Sequence, residues 1–185
     1  MTMITLPRQV SCGCCTGGCV CWNHGQSEIC AYHRVHPHTH VTELFARTTC
    51  ACPECVACCT RQPGSLAAGD LERIADRLGL SVRVAALKFW ASPGALAMNS
   101  ETGQVFRIGT ITPRMERGQC VFLDAESKCS IHEVAPFGCA YFDTHMSAVE
   151  AQPRSVWLGR SQMDASYQRW RQTMPAAESY APLTY

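Results

Sequence analysis

The residues best suited to chemistry in this sequence are four thiols within eight positions, in the run Cys52-Pro-Glu-Cys55-Val-Ala-Cys58-Cys59. Steps of three residues bring thiolates round to a common point, as a soft metal ion or an iron–sulfur cluster requires. Adjacent side chains point about 100° apart in a helix, so Cys58 and Cys59 are expected to serve different neighbours. The run therefore predicts a metal site.

Three later cysteines can complete that site. C-x-x-C-x-x-C has the ligand spacing of bacterial-type [4Fe–4S] clusters, whose fourth ligand is remote in the sequence. The predicted ligands of the central site are Cys52, Cys55, Cys58, Cys59, Cys120, Cys129 and Cys139. Seven thiols exceed one tetrahedral site, so they indicate either a [4Fe–4S] cluster with extra thiols nearby or two metal centres. His132 offers a non-thiol ligand.

An earlier group combines cysteines with a histidine. Cys19-x-Cys21 and Cys30-x-x-His33 are two close pairs of sulfur and nitrogen donors, an arrangement typical of a closed tetrahedral zinc site. Other thiols nearby can replace or extend this set. The candidate ligands of this second metal site are Cys12, Cys14, Cys19, Cys21, Cys30 and His33.

Fourteen cysteines dominate the composition of this chain of 185 residues. The formal net charge is +1, so the protein has no strong overall positive potential to attract nucleic acid or anionic lipid, and neither is expected as a partner. The first residues show no export signal, and no apolar stretch approaches the roughly 20 residues that span a bilayer. We expect a cytoplasmic protein, with a virion component as the alternative. In a reducing compartment, clustered thiols indicate metal ligands rather than a disulfide framework.

Helices are predicted to bring the early and late cysteines together. A short helix is expected over 41–49, before the cysteine run. The clearest helical pattern begins at Asp70 and ends at Gly79, with an apolar stripe of period 3.6. Ser81 is expected to cap a second helix that carries Trp90 and ends at 92–94.

Strand and helix patterns alternate in the second half of the chain. Apolar and β-branched residues predict a strand over 104–111. The segment from Cys120 to Cys129 is predicted to be a hairpin with one cysteine on each arm, which would place two thiols side by side. Two amphipathic helices are expected over 154–163 and 164–174.

The segment from Cys52 to Cys139 resembles the YkgJ-like cysteine-cluster family, which is described as a zinc- or iron-chelating domain. The resemblance is carried by the C-x-x-C-x-x-C-C run, by Pro63-Gly-x-Leu and the following helix, and by Cys120-Val-Phe-Leu-Asp, Cys129-Ser-Ile and Pro136-x-x-Cys139. The family often has Gly between the second and third cysteines of the run, where this chain has Val56 and Ala57. No ligand position is lost through this difference.

These observations predict a small α+β fold, irregular and metal-stabilised, with helices and a short β-hairpin around a cysteine cluster. We expect a Cys/His-rich N-terminal extension over 1–48, a cysteine-cluster metal-binding domain over 49–145, and C-terminal helices with an extended tail over 146–185. The C-terminal helices and tail are the expected contact surface for a protein partner.

The function predicted from the sequence is metal binding. An iron–sulfur cluster of the [4Fe–4S] type is expected at the central site, in a structural or electron-transfer role, with Zn²⁺ expected at the N-terminal site. The alternative is Zn²⁺ at the central site, which would give a structural interaction module within a larger assembly, phage-related or otherwise. No familiar nucleotide-binding or hydrolase motif occurs, so the sequence leaves enzymatic activity open and indicates no catalytic residue.

Overall fold

The computed structural model describes residues 45–48, 50–99 and 102–176, together with the backbone of three short strands at 4–6, 10–11 and 20–21. The candidate N-terminal zinc ligands lie outside the described residues, apart from the backbone of Cys21. The N-terminal zinc site and the division into three regions stay predictions.

The strands of the described chain form one three-stranded sheet and two short antiparallel pairs. In the larger sheet, β1 (Ile4–Leu6) runs parallel to β4 (Phe89–Asn99), and β4 pairs antiparallel with β5 (Val105–Pro113). The short pairs are β2 (Val10–Ser11) with β3 (Val20–Cys21), and β6 (Met115–Glu116) with β7 (Gln119–Cys120).

Helices flank the sheet and carry most of the cysteines of the run. The described residues contain α1 (Pro53–Val56), α2 (Asp70–Leu78), α3 (Val82–Ala86), α4 (Phe137–Ala140), α5 (Ala148–Met163) and α6 (Ala165–Gln172). Two 3₁₀ helices, Ala57–Thr60 and His132–Val134, follow α1 and precede α4. The predicted α+β fold is confirmed.

The helix predicted from Asp70 forms as expected, because Leu71, Ile74 and Ala75 are buried on one face. Gly79 ends it with a φ of +64°, a conformation that glycine adopts without a steric penalty. The strand predicted over 104–111 and the two C-terminal helices are also present. Helix α5 begins at Ala148, earlier than expected, because Ser147 and Glu150 form a capping box.

The prediction of a second helix reaching 92–94 is wrong. Helix α3 ends at Ala86, and Trp90 lies in β4, where its Nε1–H donates to Thr112 Oγ1 at 3.0 Å. The pairing of β4 with β5 overrides the local helical pattern. Gly94 supplies the irregularity that this requires, since its φ is +81° and a Cβ there would lie 1.7 Å from Ile108 O.

Two further local predictions differ from the structure in the described residues, one wholly and one in part. Residues 45–48 are not helical, although they belong to the segment expected to be a helix. The segment from Cys120 to Cys129 forms a hairpin only at its inner end, where Leu123 and Cys129 make an antiparallel bridge and the Ser130 N–H donates to Phe122 O at 2.8 Å. Cys120 is not on an arm of this hairpin, because it lies in β7, which pairs with β6. Asp124 explains the irregularity, since its Oδ1 accepts the Glu126 and Lys128 N–H groups and stabilises a tight loop.

The buried core lies between the sheet and the helices that pack against it. One cluster joins α2 to the sheet and to the loop around Phe122, and a second surrounds Phe137. Tyr167 on α6 links these parts, because its hydroxyl donates to Leu66 O at 3.0 Å and accepts the Ile111 N–H at 2.9 Å. None of the helices described is both long enough and apolar enough to cross a membrane.

Candidate metal centre

Three thiols and one imidazole converge at the surface of the molecule. The ligand atoms of Cys50, Cys52, Cys55 and His145 all lie within 4.8 Å of one another. Cys52 Sγ and His145 Nε2 are 3.1 Å apart. We call these four residues the outer site. The three cysteines are partly buried and the histidine is exposed.

Helix α1 positions two of these thiols. Cys52 is the N-cap residue, with extended backbone angles, and Pro53 occupies the first helical position, where its missing N–H is tolerated. Residues three apart share one face of a helical turn, so Cys55 lies on the same side as Cys52. The local sequence therefore aims two sulfur atoms at one point, and Cys50 approaches from the preceding extended segment.

The loop before α5 supplies the imidazole. The His145 N–H donates to Asp143 Oδ1 at 2.9 Å, which stabilises a turn, and the capped start of α5 follows at Ser147. Thr144 Oγ1 lies 3.2 Å from Cys55 Sγ. This loop therefore packs directly against α1, although it lies about ninety residues away in the sequence.

Hydrogen bonds distinguish the thiols of the outer site. A hydrogen bond from the Cys55 backbone N–H lowers the pKa of Cys52, and the neighbouring thiols of Cys50 and Cys55 add to the effect. A hydrogen bond from the Cys52 backbone N–H lowers the pKa of Cys50, but hydrogen bonds with the side chains of Cys55 and Cys52 raise it by more. The pKa of Cys50 is therefore raised overall. Cys52 is thus more ready to ionise than Cys50, and the thiolate is the form that binds a metal.

The adjacent thiols Cys58 and Cys59 have different neighbours. Cys58 is exposed and interacts with Cys55 and Arg61; burial and the Cys55 charge raise its pKa. Cys59 is partly buried and interacts with Cys129 and with the adjacent Cys58. The 3₁₀ helix Ala57–Thr60 therefore lies between two groups of thiols and carries one thiol beside each.

Four cysteines from four different segments form the second group. Each thiol interacts electrostatically with the other three, but no three of their sulfur atoms lie as close together as the ligand atoms of the outer site. We call this group the inner cysteines, and its members are Cys59, Cys120, Cys129 and Cys139. Cys120 belongs to the buried core cluster that also contacts Cys59 and Cys129.

Two glycines in close contact place Cys139 in this group. The Gly64 N–H donates to Cys139 Sγ at 3.1 Å, and the Gly138 N–H donates to Ser65 O at 2.9 Å. A Cβ on Gly64 would lie 2.0 Å from the carbonyl carbon of Gly138, so the two chain segments approach more closely than any side chain allows. The Pro63–Gly64 segment and the first residues of α4 therefore act as one unit.

Burial is the main cause of the raised pKa values of the inner cysteines. It raises the pKa of Cys59 to about 11 and that of Cys120 to about 12, with neighbouring thiols adding to both. Burial also raises the pKa of Cys129, and that of Cys139 well above its usual value. Without a cation, these groups are therefore held as neutral thiols.

The structure distributes the seven predicted central ligands between two groups. Cys52 and Cys55 belong to the outer site, Cys58 lies beside it, and the other four are the inner cysteines. His132, in the second 3₁₀ helix, is in neither group.

Sequence reasoning missed two members of the outer site, Cys50 and His145. Cys50 had a usable signal in the C-x-C spacing to Cys52. His145 had only a turn-forming Asp143 two residues earlier, and its proximity to α1 depends on tertiary packing.

Comparison with known families supports metal binding. The model of the CxxCxxCC family, described as "Putative zinc- or iron-chelating domain", matches residues 51–161. That range includes the inner cysteines and all of the outer site except Cys50. No curated protein and no solved structure gives a significant match.

Proposed function

This chain belongs to the CxxCxxCC family of zinc- or iron-chelating domains, and we propose that it holds a structural Zn²⁺ ion at Cys50, Cys52, Cys55 and His145. The observation that carries the proposal is the convergence of three Sγ atoms and one ring nitrogen within 4.8 Å. Three thiolates and one imidazole form a common ligand set of structural zinc sites.

The spacing of the donors favours one ion over a cluster at this position. With Zn–S bonds of about 2.3 Å, two thiolates on a tetrahedral ion lie about 3.8 Å apart. Thiolates of a [4Fe–4S] cluster bind different iron atoms and are spread more widely. The 3.1 Å separation of Cys52 Sγ and His145 Nε2 leaves room for a shared ion after a small adjustment, but not for an iron–sulfur cube between them.

The proposed role of this ion is to join α1 to the loop before α5. The described contacts between these segments are few and exposed: Cys52 and Glu54 with His145, and Cys55 with Thr144. Exposed ion pairs contribute little to stability, whereas binding of a structural zinc ion is coupled strongly to folding. The ion would hold the C-terminal helices in place, and we propose these helices as the surface that contacts a protein partner.

The second candidate function is a [4Fe–4S] cluster in electron transfer. The observation in its favour is the three-residue repeat of Cys52, Cys55 and Cys58, together with the electrostatic interaction of Cys58 with Cys55. In this alternative, Cys50 or His145 would supply the fourth ligand. Its chemistry would be redox, which zinc cannot provide.

Anaerobic purification, metal analysis and a visible spectrum test the proposal. We expect stoichiometric zinc and a colourless protein. Iron with inorganic sulfide and a broad visible absorption that bleaches with dithionite would favour the second candidate. The same metal analysis of His145→Ala should show loss of the zinc. His132→Ala is its control, because it removes an exposed histidine that lies neither in the outer site nor among the inner cysteines.

A further inference from the structure

Cys58 is the third thiol of the C-x-x-C-x-x-C repeat, and the outer site does not use it. It is exposed, and it follows Cys55, a proposed ligand, by three residues. Its sulfur atom is not among the four donors that lie within 4.8 Å of one another. Cysteine oxidation is favoured by exposure and by thiolate character. A free, exposed thiol beside a group of thiolates is therefore well placed for oxidation chemistry.

The backbone holds Cys55 and Cys58 at the distance that a disulfide spans. The two residues between them have right-handed helical angles: φ −65° and ψ −29° for Val56, and φ −56° and ψ −23° for Ala57. These angles fix the separation of the Cα atoms on either side, and helical geometry gives about 5 Å. Disulfides join Cα atoms about 4.4–6.8 Å apart. The bond can therefore form without unwinding this segment.

The outer site is open to a small oxidant. Cys55 is partly buried, but its contact with Thr144 Oγ1 at 3.2 Å lies at the surface. The side chain of His145, which lies beside the thiols, is 54 % exposed. A molecule the size of a hydroperoxide therefore reaches these sulfur atoms without opening of the fold.

We propose that Cys55 and Cys58 form a reversible disulfide on reaction with a hydroperoxide, which withdraws Cys55 from the outer site and releases its metal. Release of the metal rests on the proposed function, whereas formation of the disulfide does not. Because the ion is proposed to join α1 to the loop before α5, oxidation would loosen that joint. The proposed partner surface on the C-terminal helices would then respond to the redox state.

The reaction takes place in two steps. The Cys55 thiolate attacks one oxygen of the hydroperoxide, the O–O bond breaks, and the other oxygen takes a proton from solvent and leaves as an alcohol, or as water from hydrogen peroxide. Cys55 is then a sulfenic acid. The Cys58 sulfur attacks the Cys55 sulfur, the S–O bond breaks, and the hydroxyl group leaves as water with the Cys58 proton. The two sulfur atoms together lose two electrons, which the peroxide gains.

Cys52 is the competing partner, because it also lies three residues from Cys55. Its Sγ lies 3.1 Å from His145 Nε2, and it is itself a proposed ligand. A disulfide between Cys52 and Cys55 would require two ligands to leave the ion, whereas Cys58 has no bond to a metal to break. Cys58 is therefore the thiol that is free to attack first.

Differential alkylation of the full-length wild-type protein shows which bond forms. Zinc-loaded protein would be treated with hydrogen peroxide, and the remaining thiols would be alkylated. The disulfide would then be reduced, and the released thiols would be labelled with a second reagent and located by fragmentation mass spectrometry. We expect the second label at Cys55 and Cys58. A second label at Cys52 and Cys55, or no disulfide among these three residues, would overturn the proposal.

Zinc release from wild type and Cys58→Ser tests the role of Cys58. We expect peroxide to release one equivalent of zinc from wild type to a chromogenic chelator, and reduction with a thiol to restore binding of that equivalent. Cys58→Ser should bind the same amount of zinc before oxidation but should not recover it afterwards. Without Cys58 the sulfenic acid of Cys55 oxidises further, to forms that thiols do not reduce.

The outcomes separate failure of this proposal from failure of the proposed function. Full recovery of zinc by Cys58→Ser would show that another thiol reacts with Cys55, and the role of Cys58 would be wrong. If wild type holds no zinc at the outer site before oxidation, the proposed function is wrong, and the position of the second label alone decides whether Cys55 and Cys58 form the disulfide.

Discussion

Cys52 Sγ lies 3.1 Å from His145 Nε2, although 93 residues separate the two in the sequence. The contact joins the first turn of α1 to the loop that precedes α5. It extends the cysteine run, which looks self-contained in the sequence, to a histidine outside every cysteine motif. A metal ion at this point would link the beginning of the cysteine-rich segment to the C-terminal helices.

Replacing His145 should affect the outer site according to the chemistry of the new side chain. His145→Ala removes one of four ligands. Loss of an outer-shell partner typically lowers metal affinity about 10–100-fold, and we expect a larger fall here because a direct ligand is lost. His145→Cys offers a thiolate at the same place and should retain the metal. Competition with a chromogenic chelator measures both. Equal loss in the two variants, or no loss in His145→Ala, would show that this side chain is not a ligand.

Cys50 and Cys58 make a matched pair of variants. Cys58 belongs to the C-x-x-C-x-x-C-C run but not to the outer site, whereas Cys50 belongs to the outer site but not to the run. We expect Cys50→Ser to lose the outer metal and Cys58→Ser to keep it. Spectra of the Co²⁺-substituted protein report this directly, since charge-transfer bands follow the number of thiolates bound. The reverse pattern would favour the three-residue ligand repeat of an iron–sulfur cluster.

Much of the fold follows from local sequence. The stripe that includes Leu71 and Ile74 predicts α2, and Val105 and Ile108 lie in a pattern that predicts β5. Trp90 shows where local reasoning fails, because it follows a helical pattern but is paired with Thr112 across two strands. Strand pairing of this kind is a long-range interaction that a helical periodicity does not reveal.

Part of the candidate site, like part of the fold, could be predicted from local sequence. The spacing of Cys52 and Cys55 indicates shared ligation, because residues three apart meet on one helical turn. The place of His145 could not be inferred, since it depends on how α5 packs against the rest of the molecule. The division of thiols between Cys58 and Cys59 was foreseeable from their adjacent positions, but the identity of their neighbours required the folded structure.

Gly138 should tolerate no side chain, because a Cβ there would lie 2.4 Å from Ser65 N. We expect Gly138→Ala to destabilise the protein by about 3 kcal/mol, the upper end of the usual cost of overpacking, because the clash is with backbone atoms. Denaturant unfolding measures the loss. Gly103→Ala is the control: it has open space around it but a φ of +67°, so it should cost only about 1–2 kcal/mol. A loss in Gly138→Ala no greater than that in Gly103→Ala would contradict the close approach of Gly64 and Gly138.

Asp70 should be the main polar support for the start of α4, the helix that carries Cys139. Its buried Oδ2 accepts the Ala67 N–H at 2.9 Å and the Phe137 N–H at 2.7 Å, and Arg73 donates to Oδ1 at 2.8 Å. Asp70→Ala leaves two backbone donors without this acceptor, so we expect a loss of about 2–4 kcal/mol in unfolding free energy.

The control for this prediction is Asp76→Ala, on the exposed side of the same helix. It should change stability by less than about 0.5 kcal/mol. Urea denaturation of both variants measures the difference. Similar stability of the two variants would show that Asp70 does not anchor the start of α4.

The most direct test of the outer zinc site is a crystal structure with diffraction data recorded on both sides of the zinc absorption edge. We predict an anomalous difference peak that appears only above the zinc edge, bounded by Cys50 Sγ, Cys52 Sγ, Cys55 Sγ and His145 Nε2. A peak at this position already present at the iron edge, or no peak among these four atoms in protein purified without chelator, would contradict the account.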